Sequence, residues 1–457
     1  VAAPLLGTLD EPARSQVVID SHLIQVDLRP EGPGTALGEA SAGSSFWGQV
    51  MAAARDALAG RTDPLRGFLE RYPEAAPLAP AERIMVRLVA AGYHLAEGPA
   101  SRAVQEAEAA WSHAVDARIW HLIQWAGLVR AVVSWFVGQP EPDLAWPPEM
   151  PPGGGPPARY LALTRRLRAL DRGEAEPRGE AEPTAGSDGA TPAEPHLLVG
   201  LAAHGVGAGA FEEGIVTAER AAREADGRSA HLAGFTARAL KLAGLLADGR
   251  PDEARAAVPE LIMACRRAPV RVIRNMTDVL AMACSPCPDG PTLSRIAAEA
   301  LQTPLPARLA RALLGAEAPP GRYDALFATG LRALWPEVVV RWRCGEDRAD
   351  ARAWGVDLVT RRAWRADGAV VDLTRSATAL RLIAALARAD GVVDKATLAR
   401  EVWGIEDYHP LRDDKRLQMA VRRLREQIED DPAEPARVVT REGGYVIGGT
   451  EPFVLIA

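Results

Sequence analysis

Between Arg412 and Ile428 the chain carries a segment that can bury only one narrow strip of itself. At the helical spacing of about 100° per residue, Leu417, Val421, Leu424 and Ile428 fall on one line. The remaining arc collects Arg412, Lys415, Arg416, Gln418, Arg422, Arg423 and Arg425, with Met419 among them. Asp413 and Asp414 lie at the N-terminus of the segment, where negative charge suits the helix dipole. Past Ile428 the sign reverses to Glu429-Asp430-Asp431, which gives the basic face an edge. Such a helix must seat its strip on a small core and leave a face of one sign outside. A merely solvated face would have the same composition, but the single sign of the charge and the hairpin that follows favour a binding face. Arginine suits that role, because its planar fork grips a guanine edge or a phosphate with two parallel bonds.

The hairpin is written as two β-prone runs, Val438-Val439-Thr440 and Tyr445-Val446-Ile447, around Gly443-Gly444. Arg441 sits beside its tip, in reach of a minor groove or a phosphate. Upstream, Gly355–Leu358, Ala363–Arg365 and Val370–Leu373 are short β-like pieces, with a turn at Ala366-Asp367-Gly368. A helix capped near Thr374 or Ser376 follows and is expected to bury Leu380, Ile383 and Leu386. Gly391-Val392-Val393 then leads into a short helix, Asp394–Trp403.

In this order the parts resemble the OmpR-type winged-helix output domain. The resemblance rests on Leu373-Thr374, Gly391-Val392-Val393, Leu398–Trp403, Val421–Arg425 and Thr440–Tyr445, and it covers residues 350–450. It implies a small N-terminal sheet, three helices and a C-terminal hairpin. The third helix of that family reads the major groove of double-stranded DNA and the wing touches the backbone or minor groove. Its loop between helices two and three, here residues 404–411, can contact RNA polymerase. The DNA-binding residues expected on this basis are Arg412, Lys415, Arg416, Gln418, Met419, Arg422, Arg423, Arg425, Arg441 and Tyr445. Two departures stand out: Arg375-Ser376-Ala377 lacks the acidic residue usual in the first turn, and Glu442 stands where the wing often carries a base.

Charge sets the strength of such binding. Residues 355–457 hold 16 Lys and Arg against 17 Asp and Glu, so affinity must come from local clustering and should fall steeply with salt. A homodimer, or several copies on adjacent sites, would raise it. The whole chain, with net charge −7, is no basic coat for nucleic acid but a soluble acidic body with a small binding head. Lysine appears only at 241, 395 and 415, and this preference for arginine, with abundant Ala, Gly and Pro, points to a high-GC bacterial genome.

The 457 residues suffice for two to four domains. Residues 1–45 are mixed and partly disordered, 46–170 helical, 171–195 an acidic Pro/Gly/Ala-rich linker, and 196–345 helical again. In the last block, Gly209-Ala-Phe-Glu-Glu and Gly249-Arg-Pro-Asp-Glu lie 40 residues apart and each opens a helix, while Gly98-Pro-Ala-Ser-Arg has a similar place earlier. A helix, a glycine turn with acidic capping and an Ala-rich helix resemble the unit of tetratricopeptide-type solenoids, although an irregular bundle would share most of this pattern. The expected fold is therefore mainly α: a helical-hairpin body with a C-terminal α+β winged helix-turn-helix. The longest apolar stretch, Leu122–Val137, is too short to span a membrane and contains Gln124 and Arg130, so it is expected as a buried helix of a cytoplasmic protein.

Little in the chain points to catalysis. No phospho-acceptor receiver pattern, P-loop, catalytic triad or H-E-x-x-H is found, and neither cofactor nor metal is expected. Cys284-Ser-Pro-Cys287 has the spacing of redox and metal sites, with Cys265 and Cys344 as further thiols, but without a second such pair ordinary buried or loop cysteines are expected. His113 and His121 lack a third ligand, and Trp111, Trp120, Trp125 and Trp135 are expected in a helical core. The function so indicated is a transcriptional regulator whose helical body answers to a protein or small-molecule effector. The alternative is an interaction scaffold whose winged helix has left DNA for protein.

Overall fold

The computed structural model describes residues 46–58, 60–73, 76–139, 142, 144, 146, 156–172, 195–268, 270–285, 289–299, 302–314, 340–343, 353–389, 391–448 and 451–457. The strand-like pieces expected at 16–24, most of the acidic 171–195 stretch, Cys287 and Cys344 lie outside them. Two compact units divide the chain, one of residues 1–284, 301–306 and 320–330, the other of 285–300, 307–319 and 331–457.

The first unit is helical throughout its described residues. Its helices are α1 (Phe46–Leu58), α2 (Asp63–Arg71), α3 (Pro80–Glu97), α4 (Ala100–Asp116), α5 (Trp120–Val137), α6 (Pro156–Arg172), α7 (Pro195–Ala208), α8 (Phe211–Gly227), α9 (His231–Ala247), α10 (Pro251–Arg267) and α11 (Arg271–Ala283). Neighbours in sequence pack as hairpins, α3 on α4, α7 on α8 and α8 on α9, and α6 joins α5 to α7. The helices on either side of 173–194 therefore share a core, in which Trp135, Leu163, Leu167 and Leu197 meet. Alanine is common because the helices lie close: Ala218, Ala221, Ala225 and Ala237 are fully buried. Trp111 is buried edge-on to Trp146 at 5.2 Å, with Trp120 and Trp125 half-buried in the same cluster, so these tryptophans are core side chains. Among the described residues no helix is long and apolar enough to cross a membrane.

The second unit begins with α12 (Gly290–Ala297), which is followed by α13 (Pro304–Leu313), a helix divided between the units. Then come β1 (Val340–Arg343), β2 (Trp354–Asp357), β3 (Arg362–Trp364) and β4 (Val370–Asp372), before α14 (Ala377–Arg388), β5 (Val393–Asp394), α15 (Lys395–Trp403) and α16 (Pro410–Ile428). The wing is β6 (Val438–Arg441) and β7 (Gly444–Ile447), and β8 (Phe453–Ile456) closes the unit. One sheet has the order β1-β8-β2-β3-β4, with β8 parallel to β2 and antiparallel to β1; the other is β5-β7-β6. Neither β1 nor β8 was expected from the sequence.

Alternation along the strands gives the centre of the first sheet, β2 and β8, two buried faces. Trp354, Val356, Ala363, Phe453 and Leu455 point into the core with α14, α15 and α16. On the other side Trp364 lies under α12: its indole N–H donates to Ser294 Oγ at 3.1 Å, and a side chain on Gly290 would come within 2.6 Å of its ring. This layer explains why every residue of β2 and β8 is buried, where a sheet with one wet face would alternate.

The 40-residue spacing at Gly209 and Gly249 resolves into a shorter one. Residues 118, 138, 209, 229 and 249 all have positive φ, and each is followed by an amide bonded to the carbonyl five residues back, as in Ala230 N to Ala225 O at 2.9 Å. This is the Schellman end of a helix, repeated every 20 residues within each block. Arg118 and Ser229, at φ 54°, hold it without glycine, so residue type alone does not mark these turns. Nothing lies within 4 Å of a side chain built on Gly209 or Gly249, so substitution there tests the backbone alone. Gly209→Ala and Gly249→Ala are each expected to lower the stability of the helical unit by about 1 kcal/mol, and Ser229→Gly to raise it by about 0.5 kcal/mol. Urea unfolding followed by circular dichroism checks both signs.

Candidate nucleic-acid interface

The strip that defines α16 is buried as its spacing requires: Leu417, Val421, Leu424 and Ile428 are at most 2% exposed, packed with Leu382, Ile383 and Leu398 of α14 and α15. Removing one such side chain costs about 2–5 kcal/mol, so the strip fixes which face of α16 looks outward. The C-terminal end is anchored by an acidic residue: Glu429, 3% exposed, accepts the backbone N–H groups of Ala436, Arg437 and Val438 at 3.1, 2.9 and 2.7 Å. Arg437, 2% exposed, then pairs with Asp430 at 2.8 Å and Glu451 at 3.0 Å. The acidic edge after Ile428 is thus in part the joint between helix and wing.

The wing turns tightly at Glu442-Gly443, and its two glycines do different things. Gly443 takes φ +85°, which a side chain disfavours. Gly444 faces Val393, whose carbonyl oxygen would be 2.0 Å from an added Cβ, so only glycine lets β7 pair with β5. Tyr445 pairs with Val393 in that sheet and is 5% exposed, a core side chain, although the sequence placed it among the DNA contacts. Arg425 is also turned inward: its Nε donates to Val438 O at 2.9 Å and its Nη2 to Thr440 Oγ1 at 2.8 Å, tying α16 to β6.

The other cations remain outside, in different states. Arg412 forks onto Asp413, with bonds of 2.9 and 2.8 Å, and reaches Asp407 O at 2.8 Å. Arg422 pairs with Glu426 one turn on, at 2.9 Å, and is 74% exposed. Arg416 lies over the ring of Trp403, 4.5 Å from its centre. Lys415, Gln418, Arg423 and Arg441 are exposed, and Met419 is 42% exposed among them. Sequence spacing gave no sign of the roles of Trp403, Glu429 or Arg437, because their partners lie on other elements.

Asp413 and Asp414 do more than face the helix dipole. Asp414 accepts Lys395 Nζ at 2.8 Å and the Tyr408 hydroxyl, and Asp413 accepts His409 N at 2.8 Å, so the C-terminal end of the 404–411 loop is tied to the first turn of α16. Leu411, beside it, is 93% exposed. The Arg412 guanidinium and the His409 amide bring the Asp413 carboxyl down to about 2 from 3.8. A depressed carboxylate contributes stability above its unfolded value and loses it as pH falls through the folded one. The unit is therefore expected to weaken between pH 3.8 and about 2, and Asp413→Asn to flatten that part of its melting profile; an unchanged profile would contradict the linkage.

The remaining candidates do not gather. Among the described residues no group of three or more His, Cys, Asp or Glu could hold a metal ion. Cys284 is buried, and burial pushes its thiol up to about 11, the state of an unreactive cysteine. Cys265 is likewise a free thiol.

No solved structure matches the chain. Residues 368–447 match the family described as transcriptional regulatory protein, C terminal, from the β3–β4 turn to the end of the wing. Strands β1 to β3 and β8, with α12, lie outside the match. Residues 368–447 are accordingly an OmpR-type winged-helix domain of that family, the DNA-binding domain of a transcriptional regulator.

Proposed function

We propose that the chain regulates promoters by seating α16 in the major groove, with the wing on the flanking backbone, under control of its helical unit. The observation that carries this is the outward face of α16, where Lys415, Arg416, Gln418, Met419, Arg422 and Arg423 stand beside a wing with Arg441 at its tip. Arg412 and Arg441 suit phosphates at the two margins. Arg425 and Tyr445 serve by holding the wing in place. The exposed Leu411 and the anchored end of the 404–411 loop offer a surface for RNA polymerase, and the helical unit a surface for a protein or small-molecule effector. Binding as a homodimer in the cytoplasm completes the proposal.

The near-neutral charge of residues 355–457 favours the scaffold alternative, as do the ion pairs that already hold Arg412 and Arg422. Magnitude decides against it. The Arg422–Glu426 pair is exposed and contributes about 0–1 kcal/mol, so a phosphate displaces Glu426 at little cost, whereas the Arg412–Asp413 pair, with its buried carboxylate, stays in place.

Salt separates the two. Four to six phosphate contacts give a log–log slope of affinity against salt of roughly −4 to −5, whereas an apolar protein interface gives little slope. Arg422→Ala with Arg423→Ala should weaken DNA binding on the order of a hundredfold or more and leave the fold intact. Genome-wide recovery of bound fragments with the intact chain and this variant would be compared. Promoter enrichment lost in the variant is the expected result; equal recovery by both would sink the assignment of α16.

A further inference from the structure

Arg412, Arg416, Met419 and Arg423 follow one another at intervals of four, three and four residues, which is a single line along the outer face of α16. Their side chains differ in what already holds them. Arg412 has its fork occupied by the Asp413 carboxylate. Arg422 and Arg425, off this line, are engaged by Glu426 and by the wing. Arg416 instead lies over an aromatic face, its guanidinium carbon 4.5 Å from the centre of the Trp403 ring.

A guanidinium stacked on an aromatic face keeps its N–H donors at its edges, pointing away from the ring plane's contact. What it loses is rotation. Bidentate contact with guanine O6 and N7 asks for this combination, a free in-plane fork with its orientation already set. Trp403 is a suitable platform, since it is half-buried against the core and ends α15 just before Gly404, which caps the helix at φ 69°.

We propose that Arg416 is the arginine of α16 that reads a guanine edge, and that Trp403 is its positioning residue; this rests on the DNA-binding reading above. Met419, three residues on and apolar, suits a thymine methyl. Arg423 follows seven residues after Arg416, about 10 Å at the helical rise, or roughly three base-pair steps. The recognised sequence should therefore carry a guanine with a second read position about three pairs away.

Selection of bound duplexes from a pool with a randomised core, using the full chain, tests this. The wild type should enrich one site. Arg416→Lys keeps the charge but not the fork, so one guanine position should become degenerate and affinity for the wild-type site fall roughly tenfold, with the salt slope unchanged. Trp403→Leu should blur the same position, and Trp403→Tyr, which keeps an aromatic face, should restore it. Arg416 is on the surface, so its variant reports even if Trp403→Leu weakens the fold. A wild-type site recovered unchanged by Arg416→Lys would overturn the assignment of Arg416 alone. Failure of the wild type to enrich any site would overturn the DNA-binding reading and this one together.

Discussion

Leu417, Val421, Leu424 and Ile428 cover so narrow an arc that α16 has one rotational setting in which nothing charged meets the core. Turning the helix by a single residue, 100°, would bring Arg416, Gln418 or Arg425 against Leu382 and Ile383. An unpaired guanidinium buried there would cost several kcal/mol, more than a typical surface contact returns. The outer face of α16, the direction of Arg416 toward Trp403, and the reach of Arg425 to β6 all follow from that setting. The core chooses the binding face before any ligand is considered.

The same economy of placement explains how a domain with near-balanced charge can still present a basic surface. Glu429 is consumed by backbone amides, Asp430 and Glu451 by the buried Arg437, and Asp414 by Lys395 and Tyr408. These carboxylates act as joints, with their charge answered within the fold. Lys415, Arg416 and Arg423 of α16 are instead exposed, where a screening length of about 8 Å makes the near neighbours decide the field. Counting charges over the domain therefore understates what α16 shows to a polyanion.

Periodicity made the helices legible, and glycine made the turns of the wing legible, because both are local. The strip of α16, the strands at 355–373 and the short helix ending at Trp403 are settled within a few residues of themselves. Tyr445 shows the limit: its flanking pattern fits a hairpin surface, and only the pairing of β7 with β5 turns it inward. Arg425 was legible as a cation but not as a clamp, since Thr440 lies on another element. The strand Phe453–Ile456 was missed although its four residues are all apolar, because a short apolar run has no period from which to assign it. Trp364 gave no sign of its partner Ser294, far back along the chain. The repeat of the helical unit was seen at half its frequency, since Ser229 and Arg118 do the work of glycine at two of its turns.

The place of β8 in its sheet has a kinetic meaning. Val340 pairs with Ile456, and Trp354 with Phe453, so the strand that joins β1 to β2 is the latest of the eight to be made. At ribosomal speeds of roughly 5–20 residues per second, β1 and β2 wait on the order of ten seconds for their common neighbour. The hairpins of the helical unit, whose partners are adjacent in sequence, face no such delay. During synthesis the helical unit can therefore pack while β1 and β2 still lack the strand that joins them.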